Sequence, residues 1–470
     1  MSLEDRLYPL LSVYERLPRG VKRLIGATYR RLPERWRLGA RYRAFRRLAE
    51  EGESWPAAEA EAYRWEQLQS VLRHAHEHCP YYRERFAQAG FDPAKMTGPG
   101  DMDRCPTLEK ADLQRHGEAM LSRAFPASMR LYITTGGSTG VPVGFHLHKG
   151  VSRPKEQAFL EAMWRRAGYE DGARLAVIRG HVTSDRARGR IASYDATRDW
   201  LMLSSYHLTE QRLPEYLEAL ERFRPDMLHA YPSAALQLAE YLEAAGQSWR
   251  LPLAGLLCGS ERLTLPQKRL LERVLKTRVY RWYGHSERVI LAGEGCASEW
   301  FYFWPQYGYV EFGPPDEEGL QEVIGTSFHN LVMPLIRYRT GDYVRLARAD
   351  ADGDGVARRE FPWPAAVEVA GREQEFLVSG SGRRIALTAF NMHDAIFDDL
   401  YAVQFYQEEP GVAEFRYVPG PGFAESRLET IEKGVRRKLG DDFRIAFRRV
   451  KETEKTARGK HRWLVSRMQK

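Results

Sequence analysis

The chain has 470 residues, four cysteines and 43% hydrophobic residues, a composition that excludes a disordered chain and provides for more than one buried core. Its 71 Lys+Arg exceed 63 Asp+Glu, but residues 1–50 hold thirteen Arg/Lys against five Asp/Glu, while residues 51–470 balance at 58 of each sign. With no net basic body and no recognition motif, nucleic acid is not an expected partner.

Residues 1–50 read as a basic arm of short amphipathic helices. Leu7, Leu10, Leu11, Val13, Tyr14 and Leu17 supply apolar spacing, Pro18 interrupts, and a second stretch covers 21–31. Two readings stand side by side: a solvated arm packed on the body, or a peripheral contact with an anionic membrane surface. Arg6, Glu15, Arg16 and Arg19 break any signal-peptide core. No apolar run approaches the roughly 20 residues that span a bilayer. Cys79, Cys105, Cys258 and Cys296 form no C-x-x-C pair, which argues against structural zinc and disulfides. The expected location is cytoplasmic, or peripheral at the inner membrane surface.

Residues 61–89 are predicted helical, with Leu68, Val71, Leu72, His76 and, after Pro80, Phe86 on the apolar face. Strands are predicted at 131–133, 173–178, 227–230, 255–258 and 278–282, and helices at 213–222, 233–245 and 266–275. This alternation predicts an α/β architecture with largely parallel sheets. Short strands at 307–312, 321–326 and 342–346 predict a β-subdomain. Strands at 403–406, 415–418 and 444–450, with a helix at 425–439, predict a small α+β unit. The expected organisation is therefore 1–50, 51–371 and 372–470.

Five motifs carry chemistry. In Thr134-Thr135-Gly136-Gly137-Ser138-Thr139-Gly140-Val141-Pro142, glycines allow close approach of backbone to phosphate, and hydroxyls and N–H groups supply donors. It lacks the Gly-Lys-Ser/Thr ending of a Walker loop, and by itself it is equally well a polar surface turn. Tyr283-Gly284-His285-Ser286-Glu287 joins a stacking ring to a carboxylate suited to Mg²⁺, or is simply a strand end with a surface acid. In Tyr338-Arg339-Thr340-Gly341-Asp342 a carboxylate on a tight turn can accept two ribose hydroxyls. Gly371-Arg372 falls at the proposed boundary, and Lys455-Thr456-Ala457-Arg458-Gly459-Lys460 is a basic tail or a site element.

In this order the motifs resemble the adenylate-forming (ANL) superfamily of acyl-CoA synthetases and adenylation domains, over about residues 76–462. Within it the chain looks most like the phenylacetate–CoA ligase branch and its relatives associated with capsular polysaccharide biosynthesis. The cues are His78-Cys79-Pro80-Tyr81-Tyr82-Arg83, Pro106-Thr107-Leu108-Glu109-Lys110-Ala111-Asp112-Leu113, Thr135-Gly136-Gly137-Ser138-Thr139-Gly140 and Ala230-Tyr231-Pro232-Ser233.

The resemblance implies a large adenylate-forming N-terminal domain and a small mobile C-terminal one. It implies that Thr135, Gly137, Ser138, Thr139 and Gly140 grip the ATP phosphates, although Val141 stands where the family often has Lys. Gly259, Ser260 and Glu261 would line the adenine site with Tyr283, Gly284, His285 and Ser286. Glu287 would hold Mg²⁺, Asp342 the ribose, and Arg372 the ribose or phosphate region. Lys460 would reach the α-phosphate during adenylation. Gln374 replaces the family's acidic hinge residue. The implied activity is ATP-dependent, AMP-forming ligation of a small-molecule carboxylic acid, with CoA as co-substrate. Transfer to an amine or hydroxyl of a polysaccharide precursor, transfer of AMP itself, and a non-catalytic membrane-associated scaffold are the alternatives. Trp300-Phe301-Tyr302-Phe303-Trp304 is an acyl-pocket lining or sheet filling. His181, His207 and His229 face substrate or are packed.

Overall fold

The structure is a computed structural model that describes residues 17–32, 34–135, 143–180, 191–316, 319–347, 359–370, 376–386, 397, 400–419, 423–454 and 464–468. Its helices are α1 (Arg19–Arg31), α2 (Gly39–Gly52), α3 (Ala57–His78), α4 (Pro80–Gln88), α5 (Lys110–His116), α6 (Ser152–Arg165), α7 (Leu213–Phe223), α8 (Pro232–Ala244), α9 (Leu265–Leu275) and α10 (Ser426–Leu439), with a one-turn helix at Glu34–Arg37. Proline starts several of them: Pro80, Pro214, Pro232 and Pro266 sit in the first turn, where the missing N–H costs nothing. Pro80 thus divides the helical stretch expected over 61–89 into α3 and α4.

A hairpin of β1 (Arg130–Thr135) and β2 (Val143–His148) opens the strand order. Then follow β3 (Leu175–Arg179), β4 (Ala192–Asp195), β5 (Trp200–Ser204), β6 (Met227–Ala230), β7 (Gly255–Gly259), β8 (Val279–Gly284), β9 (Leu291–Glu294), β10 (Phe301–Phe303), β11 (Gly308–Phe312), β12 (Gln321–Ser327), β13 (Tyr338–Leu346) and β14 (Ala365–Val369). From β3 to β14 they form one twelve-stranded sheet in the order β11-β12-β13-β14-β10-β9-β8-β7-β6-β3-β5-β4. Strands β5, β3, β6, β7 and β8 are mutually parallel, and β3, β6 and β7 in the middle are buried along nearly their whole length, as expected of a parallel sheet covered on both faces. From β8 onward the pairing is antiparallel, so the expected β-subdomain continues the parallel half rather than forming a separate sheet. The aromatic run at 300–304 fills the interior: Phe301, Tyr302, Phe303 and Trp304 are buried in β10 and just after it.

The antiparallel half curls. Going from β8 to β13 takes four strand spacings, about 19 Å in a flat sheet. Yet the Tyr283 hydroxyl at the end of β8 lies 3.0 Å from the Asp342 carboxylate on β13. Glycines permit the closure where the 289–290 segment meets β11 and β12. A Cβ on Gly308 would fall 1.9 Å from the carbonyl oxygen of Val289, and one on Gly325 would fall 2.5 Å from the Ile290 side chain.

Residues 376–466 build a second, smaller structure. It has a hairpin of β15 (Phe376–Val378) and β16 (Arg384–Ala386) and a four-stranded sheet. That sheet contains β17 (Leu400–Glu409), β18 (Val412–Pro419), β19 (Arg444–Arg449) and β20 (Leu464–Ser466) in the order β19-β18-β17-β20. Helix α10 covers it, and Leu377, Phe405, Phe415, Ile431 and Leu439 belong to a core distinct from those of the large sheet.

Candidate active site

Strands β3, β6, β7 and β8 all end on one edge of the sheet, the place where parallel α/β sheets present loops to a ligand. The expected residues Gly259, Ser260, Glu261, Tyr283, Gly284, His285, Ser286 and Glu287 all follow from these strand ends. Gly259 is needed for packing, because a Cβ there would meet the Trp282 ring at 2.2 Å. Ser260 takes a left-handed conformation, φ 69°, which turns the chain sharply away from β7. Glu261 caps the neighbouring helix: its carboxylate accepts from the Ser233 backbone N–H at 2.8 Å and from the Ser233 hydroxyl at 3.1 Å, at the start of α8.

Tyr283 is nearly buried, edge-on to His285 and Phe303. Its hydroxyl donates to Asp342 Oδ2 at 3.0 Å. Strand alternation puts Tyr338, Thr340 and Asp342 on one face of β13. Thr340 donates to the Val323 carbonyl at 2.7 Å and accepts from the Asp342 N–H at 3.1 Å. Gly341, at φ 70°, lets its N–H reach Glu322 Oε1 at 3.2 Å. Two of the motifs quoted from the sequence are therefore joined directly, side chain to side chain.

Glu287 is buried, and its Oε1 accepts the Tyr338 hydroxyl at 2.7 Å. Burial pushes its carboxyl upward, but the charges of His285 and Lys110 and the Tyr338 hydrogen bond outweigh it and hold the group below the usual carboxylate range. Among the described residues neither ring nitrogen of His285 has a hydrogen-bond partner, although both are buried. Such orphaned atoms call for a ligand or water. Among the described residues no group of three or more His, Cys, Asp or Glu is placed to hold a metal. A divalent ion here would rest on Glu287 and on oxygens brought by the substrate. That donor set, one carboxylate with phosphate and water, fits Mg²⁺.

Several participants were not singled out from the sequence. Tyr338 had a signal, since it lies two strand repeats before Asp342 within a quoted motif. Lys110 lay within the quoted Pro106–Leu113 motif but was given no role there; the structure supplies one, because Leu108 bridges to Tyr338, with Leu108 N–H to the Arg337 carbonyl at 3.0 Å and Arg339 N–H to the Leu108 carbonyl at 2.9 Å. This long-range contact brings α5 to Glu287. Lys155 is a further surprise. It is buried on α6 and donates to the Arg288 carbonyl at 3.1 Å, directly after Glu287, while its ammonium lies 3.6 Å from the Tyr307 ring centroid. Arg288 itself has φ 54°. Arg179, at the end of β3, donates to Ser260 Oγ at 2.5 Å and lies 2.7 Å from His229 Nε2. His229 is buried, and burial and the Arg179 charge hold it well below its ordinary value, so it is a packed, neutral ring. His207 is half-buried after β5.

Three expected elements lie outside the described residues: Gly137, Ser138, Thr139, Gly140 and Val141 of the first loop, Arg372 with Gln374, and Lys460. His181 does too. Thr135 pairs with Val143 at the mouth of the β1–β2 hairpin, so the Gly-rich loop joins these two strands. The hairpin is anchored through Asn330, whose Oδ1 accepts from the His148 N–H at 2.8 Å and whose Nδ2 donates to the His146 carbonyl at 2.9 Å. The segment carrying Lys460 is bracketed on β17. Gln404 binds Glu454 on one side through its carbonyl (3.0 Å) and N–H (3.2 Å), and Leu464 pairs with Phe405 on the other.

No protein-family model matches the chain. A phenylacetate-coenzyme A ligase from Pseudomonas putida is 27% identical over 338 residues, covering 68% of this chain and 73% of that protein. Protein CapK from Staphylococcus aureus is 20% identical over 414 residues, covering 87% of this chain and 89% of that protein. Among solved structures, 2-hydroxyisobutyryl-CoA ligase in complex with 2-HIB-AMP and CoA in the thioesterification state superposes with a TM-score of 0.59. It is 18% identical and covers 89% of this chain and 92% of that one. In sequence the chain is thus similar to phenylacetate–CoA ligases and to CapK, and it shares the fold of 2-hydroxyisobutyryl-CoA ligase.

Proposed function

We propose that the protein activates a small carboxylic acid with ATP as an acyl adenylate and passes the acyl group to the thiol of CoA in the cytoplasm. The observation that carries this reading is the Tyr283–Asp342 hydrogen bond beside the buried Glu287. Two separate sequence motifs meet there on the strand-end edge, next to the orphaned ring nitrogens of His285.

A carboxylate is a poor electrophile. In the first step its oxygen attacks the ATP α-phosphorus, and pyrophosphate leaves. The protein contributes position and charge complementarity. Asp342, held by Tyr283 and Thr340, accepts the ribose hydroxyls. Gly259, Ser260 and the Tyr283–Ser286 segment border the base. The 135–140 loop and Arg372 contact the phosphates and ribose. Mg²⁺ on Glu287 would neutralise phosphate oxygens. Lys460 approaches the α-phosphate from the other side and leaves when the 372–470 unit turns about the region of Gln374. In the second step the CoA sulfur attacks the acyl carbonyl, the bond to AMP breaks, and the thioester forms.

Screening carboxylic acids for AMP release with and without CoA tests the proposal. Acid-dependent AMP release that requires the thiol is expected. A second reading has some support, because the CapK match covers more of this chain than the match to the Pseudomonas putida ligase does. In that reading an amine or hydroxyl of a polysaccharide precursor takes the acyl group or AMP, and AMP release or AMP transfer would then be CoA-independent. No acid-dependent reaction of ATP under any of these conditions would favour a non-catalytic scaffold.

A further inference from the structure

Helix α1 carries its polarity the wrong way round for a helix packed on a globular body. Surface helices normally bury their apolar stripe and expose the polar one. In α1, Val21, Leu24 and Ile25 share a face by their i, i+3, i+4 spacing, and they are 42%, 70% and 41% exposed. Thr28 continues the same face and is exposed. Trp36, in the next helical turn, is 56% exposed. The side that meets the body is small and polar. Gly26 presses on the turn after β4 so closely that a Cβ would fall 2.1 Å from the Ala196 carbonyl oxygen. Arg30 donates to that same carbonyl, and Arg23 lies 5.9 Å from the Tyr194 ring centroid.

These contacts fix the rotation of the helix. Turning Leu24 and Ile25 inward would remove Gly26 from the one place where its missing side chain is required. A single exposed leucine needs no explanation. A stripe of three apolar residues does. The surrounding charge says what covers it: residues 17–37 carry seven Arg/Lys against one Glu. Exposed valine, leucine and isoleucine on a helix from a strongly basic segment are the composition of a helix that lies in a bilayer interface and draws on anionic headgroups. A second copy of the same face would bring two strongly basic segments together, which disfavours self-association. No helix among the described residues is long and apolar enough to cross a membrane, so the contact is peripheral.

We propose that the Val21–Leu24–Ile25 face of α1 docks on an anionic lipid surface. This surface is separate from the strand-end edge, so the proposal does not depend on which reaction the protein catalyses. The test is flotation of the full chain with vesicles of phosphatidylcholine containing phosphatidylglycerol, and with pure phosphatidylcholine. Binding to the anionic vesicles is expected, at least about tenfold weaker on the neutral ones and weakened by high salt. The Leu24→Gln/Ile25→Gln variant, whose changed side chains are exposed, should melt like the wild type and lose about tenfold or more of that binding. Absence of wild-type binding, or equal binding by the variant, overturns the proposal. So does a dimer in light scattering that this variant converts to monomer, since that outcome gives the face to a second copy.

Discussion

The strand-end edge of the large sheet gathers Tyr283, Glu287, Tyr338 and Asp342 from segments as much as 59 residues apart. The four-stranded sheet of residues 400–466 has a core of its own and brings none of these side chains. It holds instead, by both ends on β17, the segment that carries Lys460. In the large sheet every polar partner of the site is fixed by packing: Tyr283 and Tyr338 belong to one buried cluster with Val143 and Phe145 of the hairpin below the Gly-rich loop. The comparison teaches how the proposed reaction would be divided: the groups it needs throughout are built into one core, and Lys460, which it needs at one step, belongs to a segment attached to another.

The sharpest way to break this division is Lys460→Ala. Acid-dependent ATP–pyrophosphate exchange should fall about 10²-fold or more, the scale of losing one donor that acts in the transition state. Thioester formation from presented acyl adenylate should change little. Near-normal exchange would remove Lys460 from the chemistry. Next in size is Glu287→Gln, for which the Mg²⁺ concentration giving half-maximal exchange should rise by about tenfold. An unchanged titration would show that the ion is held elsewhere.

Tyr283→Phe removes the hydroxyl that holds Asp342. We expect KM for ATP to rise about fivefold, the scale of one net hydrogen bond, with kcat nearly constant. A drop in kcat with KM unchanged would instead place the tyrosine in the chemical step. The smallest effect concerns stability. Burial pushes the Lys155 amine down to about 7, with the neighbouring Arg288 charge acting in the same direction. Unfolded, the amine titrates near 10.4. Between these values the unfolded chain holds more protons than the folded one, so stability rises with pH across that window. Below it, the full cost of a charged buried amine remains. Lys155→Met should therefore change the melting temperature most favourably near pH 6, and this difference should shrink towards pH 10. A difference independent of pH would show that the folded protein leaves the Lys155 amine at its ordinary value.

Much of the secondary structure was legible because it rests on local rules. The strand at Met227–Ala230 is where its apolar run predicts, and the helices at 213–223, 232–244 and 265–275 lie within a residue of their expected bounds. Helix α6 and strands β9 and β14 were not legible. Ser152–Arg165 buries nine of its fourteen residues, Lys155 and Glu161 among them, so its pattern shows no clean polar face. Among the site residues, Tyr283, Glu287 and Asp342 were marked by motif. Lys110 and Lys155 act on the Glu287 segment through contacts separated from it by more than a hundred residues, and no local spacing encodes those.

Local sequence was sufficient for much of the order of elements, for the donor and acceptor types in the motifs and for the confinement of the net basic charge to the arm, because propensity, turn residues and side-chain type are properties of short segments. Tertiary structure alone decided that the antiparallel strands continue the parallel sheet and curl until β13 meets β8. It also decided that Glu287 is buried between Tyr338 and the Lys110 charge, and that α1 turns its apolar stripe outward. Each of these depends on which distant surfaces close on one another: a strand's pattern fixes its alternation but not its curvature, and a helix's moment fixes its stripe but not the direction in which packing points it.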